Sequence, residues 1–254
     1  MSGQEKTLLL KVTGLTKTFG KVVALKNVDF DIDYDEIVGL LGDNGAGKST
    51  LVKILMGVYA PTKGEISFLG RKARFRSPDE ARAAGIEIVY QGSNLIETMN
   101  IWRNFFVGKE QTKRYGFFRL LDVSDMKKKA LASLEKIGIE MRSADESVSI
   151  LSGGQRQSVA ITRALYFDAK LLILDEPTTA LSVRETTKVL DFVKGLKGMG
   201  ISVIFITHNI YHVFAVADPF EILHHGIKIC SLTKKDSSLQ EITEVIRAGH
   251  AIKK

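Results

Sequence analysis

A single cysteine, Cys230, stands in 254 residues, so the chain can form no intrachain disulfide and no cysteine-cluster metal site, zinc modules included. Long hydrophobic runs are missing too. IVGLLG at 37–42 and LLIL at 171–174 fall far short of the roughly 18 apolar residues that cross a bilayer. The opening MSGQEKTLLLKV has no apolar core of the length a secretory signal uses. These absences lead us to expect a cytoplasmic protein. No repeat or low-complexity block interrupts the chain.

What is present is enough chain for a sizeable core, with ordinary apolar (44%) and charged (26%) fractions, so one large domain or a domain with an appended lobe is expected. The formal charge is +7, from 36 basic against 29 acidic side chains. Such a balance suits nucleic acid, an anionic ligand or the inner face of a membrane, and charge alone does not choose among them. The densest basic cluster, RKARFR at 71–76, reads as a solvated turn.

The stretch GDNGAGKST at 42–50 breaks this ordinariness. IVGLL before it has the length of a buried strand, and Leu51, Ile54 and Leu55 after it follow helical spacing up to Gly57. Gly42, Gly45 and Gly47 let the loop turn so that backbone N–H groups converge, and the helix starting near Lys48 aims its positive dipole end into the same cavity. That is a cradle for phosphate, lined also by Asp43, Asn44, Ala46 and Thr50. In the pattern G-x-x-x-x-G-K-[ST], Lys48 reaches the β and γ phosphates of a nucleotide and Ser49 ligates Mg²⁺.

Two further strings carry chemistry. LLILDEP at 171–177 is a central parallel strand ending in two carboxylates: Asp175 suits a Mg²⁺ shell, and Glu176 suits orienting or deprotonating an attacking water. LSGGQRQ at 151–157 opens a helix with Ser152 as N-cap and Ile161, Ala164 and Leu165 on one face. Gly153 and Gly154 weaken its first turn unless something must approach the backbone closely, which implies a second phosphate-facing helix end completed by Gln155.

In this order the motifs resemble those of the nucleotide-binding subunit of ATP-binding cassette (ABC) transporters, whose signature is LSGGQ. The resemblance runs nearly end to end. It implies that Gln91, after IEIVY, senses Mg²⁺ and the attacking water, that His208, after ISVIFIT, contacts the γ phosphate, and that Phe19 stacks on adenine. EPTTALSVRE, SPDEARAAGIEIVYQ and GDNGAGKST together resemble the single-cassette ATPases of bacterial carbohydrate importers of the ribose/fructose type. Two departures stand out: Asp35 and Glu36 replace the family's frequent Gly-Glu, so that turn must form without glycine, and Thr179, Ala180, Leu181 and Ser182 replace S-A-L-D.

The fold implied is α/β: a P-loop NTPase (RecA-like) core, a small antiparallel β subdomain and a helical lobe at about 92–168, all within one ATP-binding domain spanning 1–254. NVDFDI and EISFLG alternate as strands of the antiparallel sheet, and Ser77, Pro78 and Glu80 start a short helix that Gly85 ends. In the lobe, Ser124 is the expected cap of a helix carrying Met126, Ala130, Leu134 and Ile137. Met99, Ile101, Trp102, Phe105 and Phe106 read mainly as lobe core, with some of that surface open to a membrane subunit. After Ile210 short strands and one terminal helix are expected, with His224 and His225 at a strand end and Cys230 buried.

The resemblance implies an ATPase using ATP and Mg²⁺ at the cytoplasmic face of the membrane. Its partners are membrane-spanning permease subunits, a second copy of the chain or a sister cassette in an ATP sandwich, and indirectly a solute-binding protein. No nucleic-acid partner is expected. The alternatives are a nucleic-acid maintenance ATPase with the same cassette, which would need a long coiled coil or zinc modules that find no room here, and an exporter for another solute.

Overall fold

The computed structural model describes residues 8–92 and 94–251. Two compact units emerge, one of residues 1–88, 169–176 and 193–254, the other of 89–168 and 177–192. The second unit takes in the stretch 92–168 together with residues 89–91 and 177–192.

The first unit opens with β1 (Leu8–Phe19) and β2 (Val22–Asp33), paired antiparallel. β3 (Ile37–Leu41) then leads through the glycine loop into α1 (Lys48–Leu55). β4 (Lys63–Phe68) returns along the free side of β1 and is followed by β5 (Arg71–Ala73), giving the sheet order β2-β1-β4-β5. The alternation in NVDFDI is realised with Val28, Phe30 and Ile32 buried and Asp29 and Asp31 exposed. β1 and β2 run further than that pattern suggests, because register shifts between them absorb residues that break the alternation. The tight turn before β3 forms with Asp35 at φ +57, so the short aspartate adopts the left-handed backbone that glycine supplies elsewhere. α2 (Pro78–Ala84) starts and stops as expected, with Ser77 accepting the Glu80 amide and Gly85 closing it in the left-handed conformation before β6 (Ile86–Val89).

In the second unit, α3 (Ile101–Phe106) is capped by Asn100. β7 (Thr112–Tyr115) and β8 (Phe118–Leu121) form a hairpin within the stretch expected from sequence as a helical lobe. α4 (Val123–Lys136) follows, capped by Asp122 rather than Ser124: the aspartate accepts the Asp125 amide, and Ser124 falls inside the first turn. A 3₁₀ turn at Val148–Ile150 leads to α5 (Gly153–Tyr166). Trp102, Phe105, Phe106, Met126, Ala130 and Ala144 make one core cluster, and Ile101, Leu134, Val148, Leu151 and Val159 another. The aromatics of 101–106 are therefore packing residues, not a docking surface.

β9 (Leu171–Asp175) belongs to the first unit, and α6 (Val183–Leu196) begins in the second and ends in the first. β10 (Ser202–Ile206), α7 (Ile210–Val216), β11 (Phe220–His224), β12 (Ile227–Leu232) and α8 (Leu239–Ala248) complete the chain. α7 was not anticipated. The main sheet runs β12-β11-β3-β10-β9-β6, with β11, β3, β10 and β9 parallel and β12 antiparallel at its edge. β3 and β10 are buried throughout, as unbroken apolar runs in a parallel sheet require. Cys230 is half-buried, not fully buried as expected, because β12 is an edge strand.

Candidate functional site

Register across the parallel strands sets Leu40, Ile206 and Asp175 abreast. Three segments therefore leave the carboxyl edge of the sheet side by side: the glycine loop, Glu176, and Thr207 with His208. Ligands of open α/β sheets bind beyond this edge.

The loop is clamped by neighbouring backbone. The buried Ala46 accepts a hydrogen bond from the Gly226 amide at 3.0 Å, and Gly226 in turn accepts one from the Lys26 amide at 2.7 Å. A Cβ on Gly47, at φ +103, would lie 2.7 Å from Leu25 Cδ2, and one on Gly42, at φ +141, would lie 2.2 Å from the Leu223 carbonyl oxygen. Only glycine fits at either position. Asp43, Asn44 and Gly45 are exposed, and no heavy atom comes within 4 Å of a Cβ position on Gly45. α1 has no side-chain cap and no acidic residue in its first turn, so its leading amides and dipole face the loop uncompensated. A helix end of this kind favours an anion.

Lys48 Nζ donates to the carbonyls of Gly42 and, at 3.0 Å, Asp43. Burial pulls its pKa below the usual lysine range, opposed by the charges of Glu176, Asp43 and Asp175. Asp175 is half-buried, and burial and the neighbouring Glu176 raise its pKa while Lys48 lowers it. Ser49 is exposed and Thr50 half-buried. Ser49 and Asp175 offer the hard oxygen donors that Mg²⁺ prefers, and among the described residues no cluster of three His, Cys, Asp or Glu side chains competes for a metal.

Glu176 directly follows β9 with a left-handed backbone at φ +52, a conformation costing about 1–3 kcal/mol and most often met at functional sites. Its carboxylate is held from two sides. Oε2 accepts from Thr207 Oγ1 at 3.0 Å, while Oε1 accepts from the His208 amide at 2.9 Å and faces His208 Nδ1 at 2.9 Å. Thr207 was missed from sequence, as was Asn209, which donates its amide to Thr207 Oγ1 at 3.1 Å and caps α7 through the Tyr211 and His212 amides. The signal was available: an Asn three residues past the end of an apolar strand and directly before Ile210 is a helix start. Phe19 is 42% exposed at the end of β1, edge-on to Tyr59 at 5.1 Å, with Lys17 Nζ 4.8 Å from its ring centre. Neither neighbour was singled out in the sequence.

Gln91 and the LSGGQ string lie in the second unit, where Gln91 is exposed just beyond the end of β6. Ser152 caps α5 and forms a reciprocal capping box with Gln155. What approaches Gly153 and Gly154 here is the start of α6. A Cβ on Gly153 would lie 2.7 Å from Leu181 Cδ2, and the Gly154 amide donates to Glu185 Oε1 at 3.1 Å. Glu185 also accepts from Ser182 Oγ at 2.7 Å and the Ser182 amide at 3.0 Å. The Ser182 hydroxyl, the amides of Gly154 and Ser182, and the Ser152 hydroxyl together depress its pKa to about 2. A carboxylate of the protein's own thus already accepts the Gly154 amide in the first turn of the signature helix. Beside it opens a groove of about 890 Å³, lined by Ser152, Gly154, Gln155, Ser158, Arg184 and Lys188 among others.

The profile of the ABC transporter family matches residues 25–179. The chain is 44% identical to the xylose/arabinose import ATP-binding protein of Sulfolobus acidocaldarius, over 94% of this chain and 93% of that one. It is 42% identical to the fructose import ATP-binding protein of Rhizobium meliloti, over 92% and 91%. A ribose import ATP-binding protein of Chromobacterium violaceum is 38% identical over 92% of this chain, which spans 45% of that longer protein. Among solved structures, a nucleotide-free ATP-binding cassette superposes with a TM-score of 0.80 at 23% identity, covering 94% of this chain and 95% of that one. A dimeric cassette in a post-hydrolysis state bound to ADP and Pi superposes with a TM-score of 0.72 at 29% identity, covering 88% and 98%. A glycine loop and a locked carboxylate side by side at one sheet edge, and likeness along almost the whole length, agree: the chain is a member of the ABC transporter family and an ATP-binding ATPase.

Proposed function

We propose that this chain powers import of a sugar, working as a peripheral subunit on the cytoplasmic face of the membrane against membrane-spanning permease subunits and, through them, a solute-binding protein. The sugar-import names of its relatives support the cargo class. The observation that carries the chemistry is the Glu176 carboxylate, pinned by Thr207 and His208 at the sheet edge where Lys48 and the uncapped α1 amides wait for phosphate.

Hydrolysis needs a water in line with the γ phosphate and neutralisation of the charge that develops there. Lys48 and the amides of residues 42–50 hold the phosphates, and Phe19 offers a ring to adenine. Ser49 and Asp175 would hold Mg²⁺, which would supply neutralisation of phosphate charge, and the resemblance alone assigns Gln91 to sensing that ion. Glu176 orients and deprotonates the water, and Thr207 fixes the carboxylate by holding its second oxygen. His208, bonded to Glu176 through both amide and ring, senses whether a γ phosphate is present. Ser152, Gly153, Gly154 and Gln155 serve the nucleotide of a second copy or a sister cassette, so that two chains enclose two ATP molecules.

Replacing Glu176 with Gln keeps the hydrogen-bonding shape and removes the base. Turnover should fall about 10²–10⁴-fold, while MgATP affinity by titration calorimetry stays within a few-fold of wild type. Light scattering should then record an ATP-bound dimer. A variant that binds ATP, does not turn over and stays monomeric would refute the sandwich.

A further inference from the structure

β7 and β8 form a ribbon whose residues 112–121 are all exposed, on both faces and at the turn. Phe117, in the turn, is 100% exposed, Phe118 73% and Tyr115 59%, and Leu120 and Leu121 are also exposed. Single exposed apolar residues need no account, but five within ten do. Two strands with both faces wet gain nothing from burial and are marginal on their own. Here the base is fastened. The Asp122 amide donates to the Gln111 carbonyl at 2.9 Å, Gln111 Nε2 donates to Tyr166 Oη at 3.1 Å, and Lys129 Nζ donates to Gln111 Oε1 at 2.8 Å. A tip presented so firmly and left so apolar has a use away from the protein's own core.

Its charges say which. Lys113, Arg114 and Arg119 lie in the ribbon, and residues 112–121 hold no carboxylate. The nearest along the chain, Glu110 and Asp122, are engaged at the base, Glu110 with the Gly108 amide and Asp122 with the Asp125 amide. Strand register places Tyr115 opposite Phe118 and Lys113 opposite Leu120 on one face, with Arg114 opposite Arg119 and Thr112 opposite Leu121 on the other. Apolar groups and cations therefore share both faces. A protein groove covers one face of a ribbon and leaves the other wet, whereas a lipid interface surrounds the tip: rings settle at the level of the acyl boundary while guanidinium and ammonium groups reach headgroup phosphates.

We propose that the Thr112–Leu121 hairpin inserts its Phe117–Phe118 tip into the interface of an anionic membrane, held there by Lys113, Arg114 and Arg119. This goes beyond the transport reading and is independent of it, since vesicle binding needs neither a permease nor ATP turnover. The full chain is sedimented with vesicles of phosphatidylcholine alone or with about one third phosphatidylglycerol. Binding should favour the anionic vesicles and weaken with salt. At about fivefold per cation, Arg114→Gln/Arg119→Gln should lose on the order of 30-fold in affinity, and Phe117→Ser about tenfold. A Phe117→Trp variant should gain a blue-shifted emission on anionic vesicles only. ATPase activity in solution should be unchanged in all three, because the hairpin lies outside the phosphate machinery. Wild-type chain that fails to pellet, or variants that pellet equally, would overturn the proposal. So would variants that leave vesicle binding intact and lose self-association or permease capture in detergent, which would make the ribbon a protein contact.

Discussion

Glu185 carries two helix starts on one carboxylate: it closes a capping box with Ser182 at the head of α6 and accepts the Gly154 amide at the head of α5. The signature glycines thus have a reason that lies within their own unit, the close approach of Leu181 and Glu185, beside any role toward a second nucleotide. Ser182-Val-Arg-Glu185 is a legible capping box that the comparison with S-A-L-D obscured. The folded pKa of about 2 lies below the ordinary 4.5, so the charged form is favoured by folding. Its stabilisation is complete above pH 4.5 and is lost as pH falls toward 2. Glu185→Gln should therefore melt below wild type at neutral pH, with the gap closing as pH is lowered through this window. Thermal melts of both proteins from pH 7 to pH 3 check it, and a gap independent of pH would mean that packing, not charge, is what Glu185 contributes.

Among the elements, α3 shows how a short helix is made by context. Its six residues are too few to hold a helix alone, and five of them, Ile101, Trp102, Asn104, Phe105 and Phe106, are buried. Phe106 meets the rings of Phe105, Tyr166 and Phe167 at 5.3, 5.4 and 6.1 Å between centroids. Phe106→Ala should cost about 3–5 kcal/mol. Trp102 is the only tryptophan and sits in the same cluster, where its indole N–H donates to Asp145 at 3.2 Å, so its fluorescence reports this unit's unfolding in denaturant. The neighbouring hairpin went unread for the opposite reason. TKRYGFFRLL lacks a buried face, so no apolar–polar alternation marks it as two strands.

For the whole molecule, the shared-site reading makes a demand that no single variant can meet. Lys48→Ala disables a chain's own phosphate loop, and Ser152→Arg puts a bulky cation into the signature offered to its partner. Each homodimer is then dead. In a mixed dimer both defects fall into one site, and the other joins an intact Lys48 to an intact Ser152. An equal mixture should regain up to about a quarter of wild-type sites if chains exchange at random and sites act independently. Phosphate release by the mixture checks this, with a Lys48→Ala and wild-type mixture measured alongside to calibrate a one-site dimer. If that control exceeds its wild-type homodimers while the double-variant mixture stays silent, the signature does not act in trans.

The amino-acid sequence alone determined the glycine loop, the strand running into Asp175 and Glu176, the Ser152 cap and the parallel core, because each is written in residues close together in the chain. Short-range rules of turn, cap and burial are enough to read such features. Only the tertiary structure decided that Glu176 is gripped by Thr207 and His208, that Glu185 sits on Gly154, and that Ala24, Leu25 and Leu223 exclude a side chain from the glycine loop. Those partners stand from 22 to more than 180 positions away and meet only through tertiary packing, as where strand order sets β9 beside β10 and β3 beside β11, and no local periodicity encodes that order.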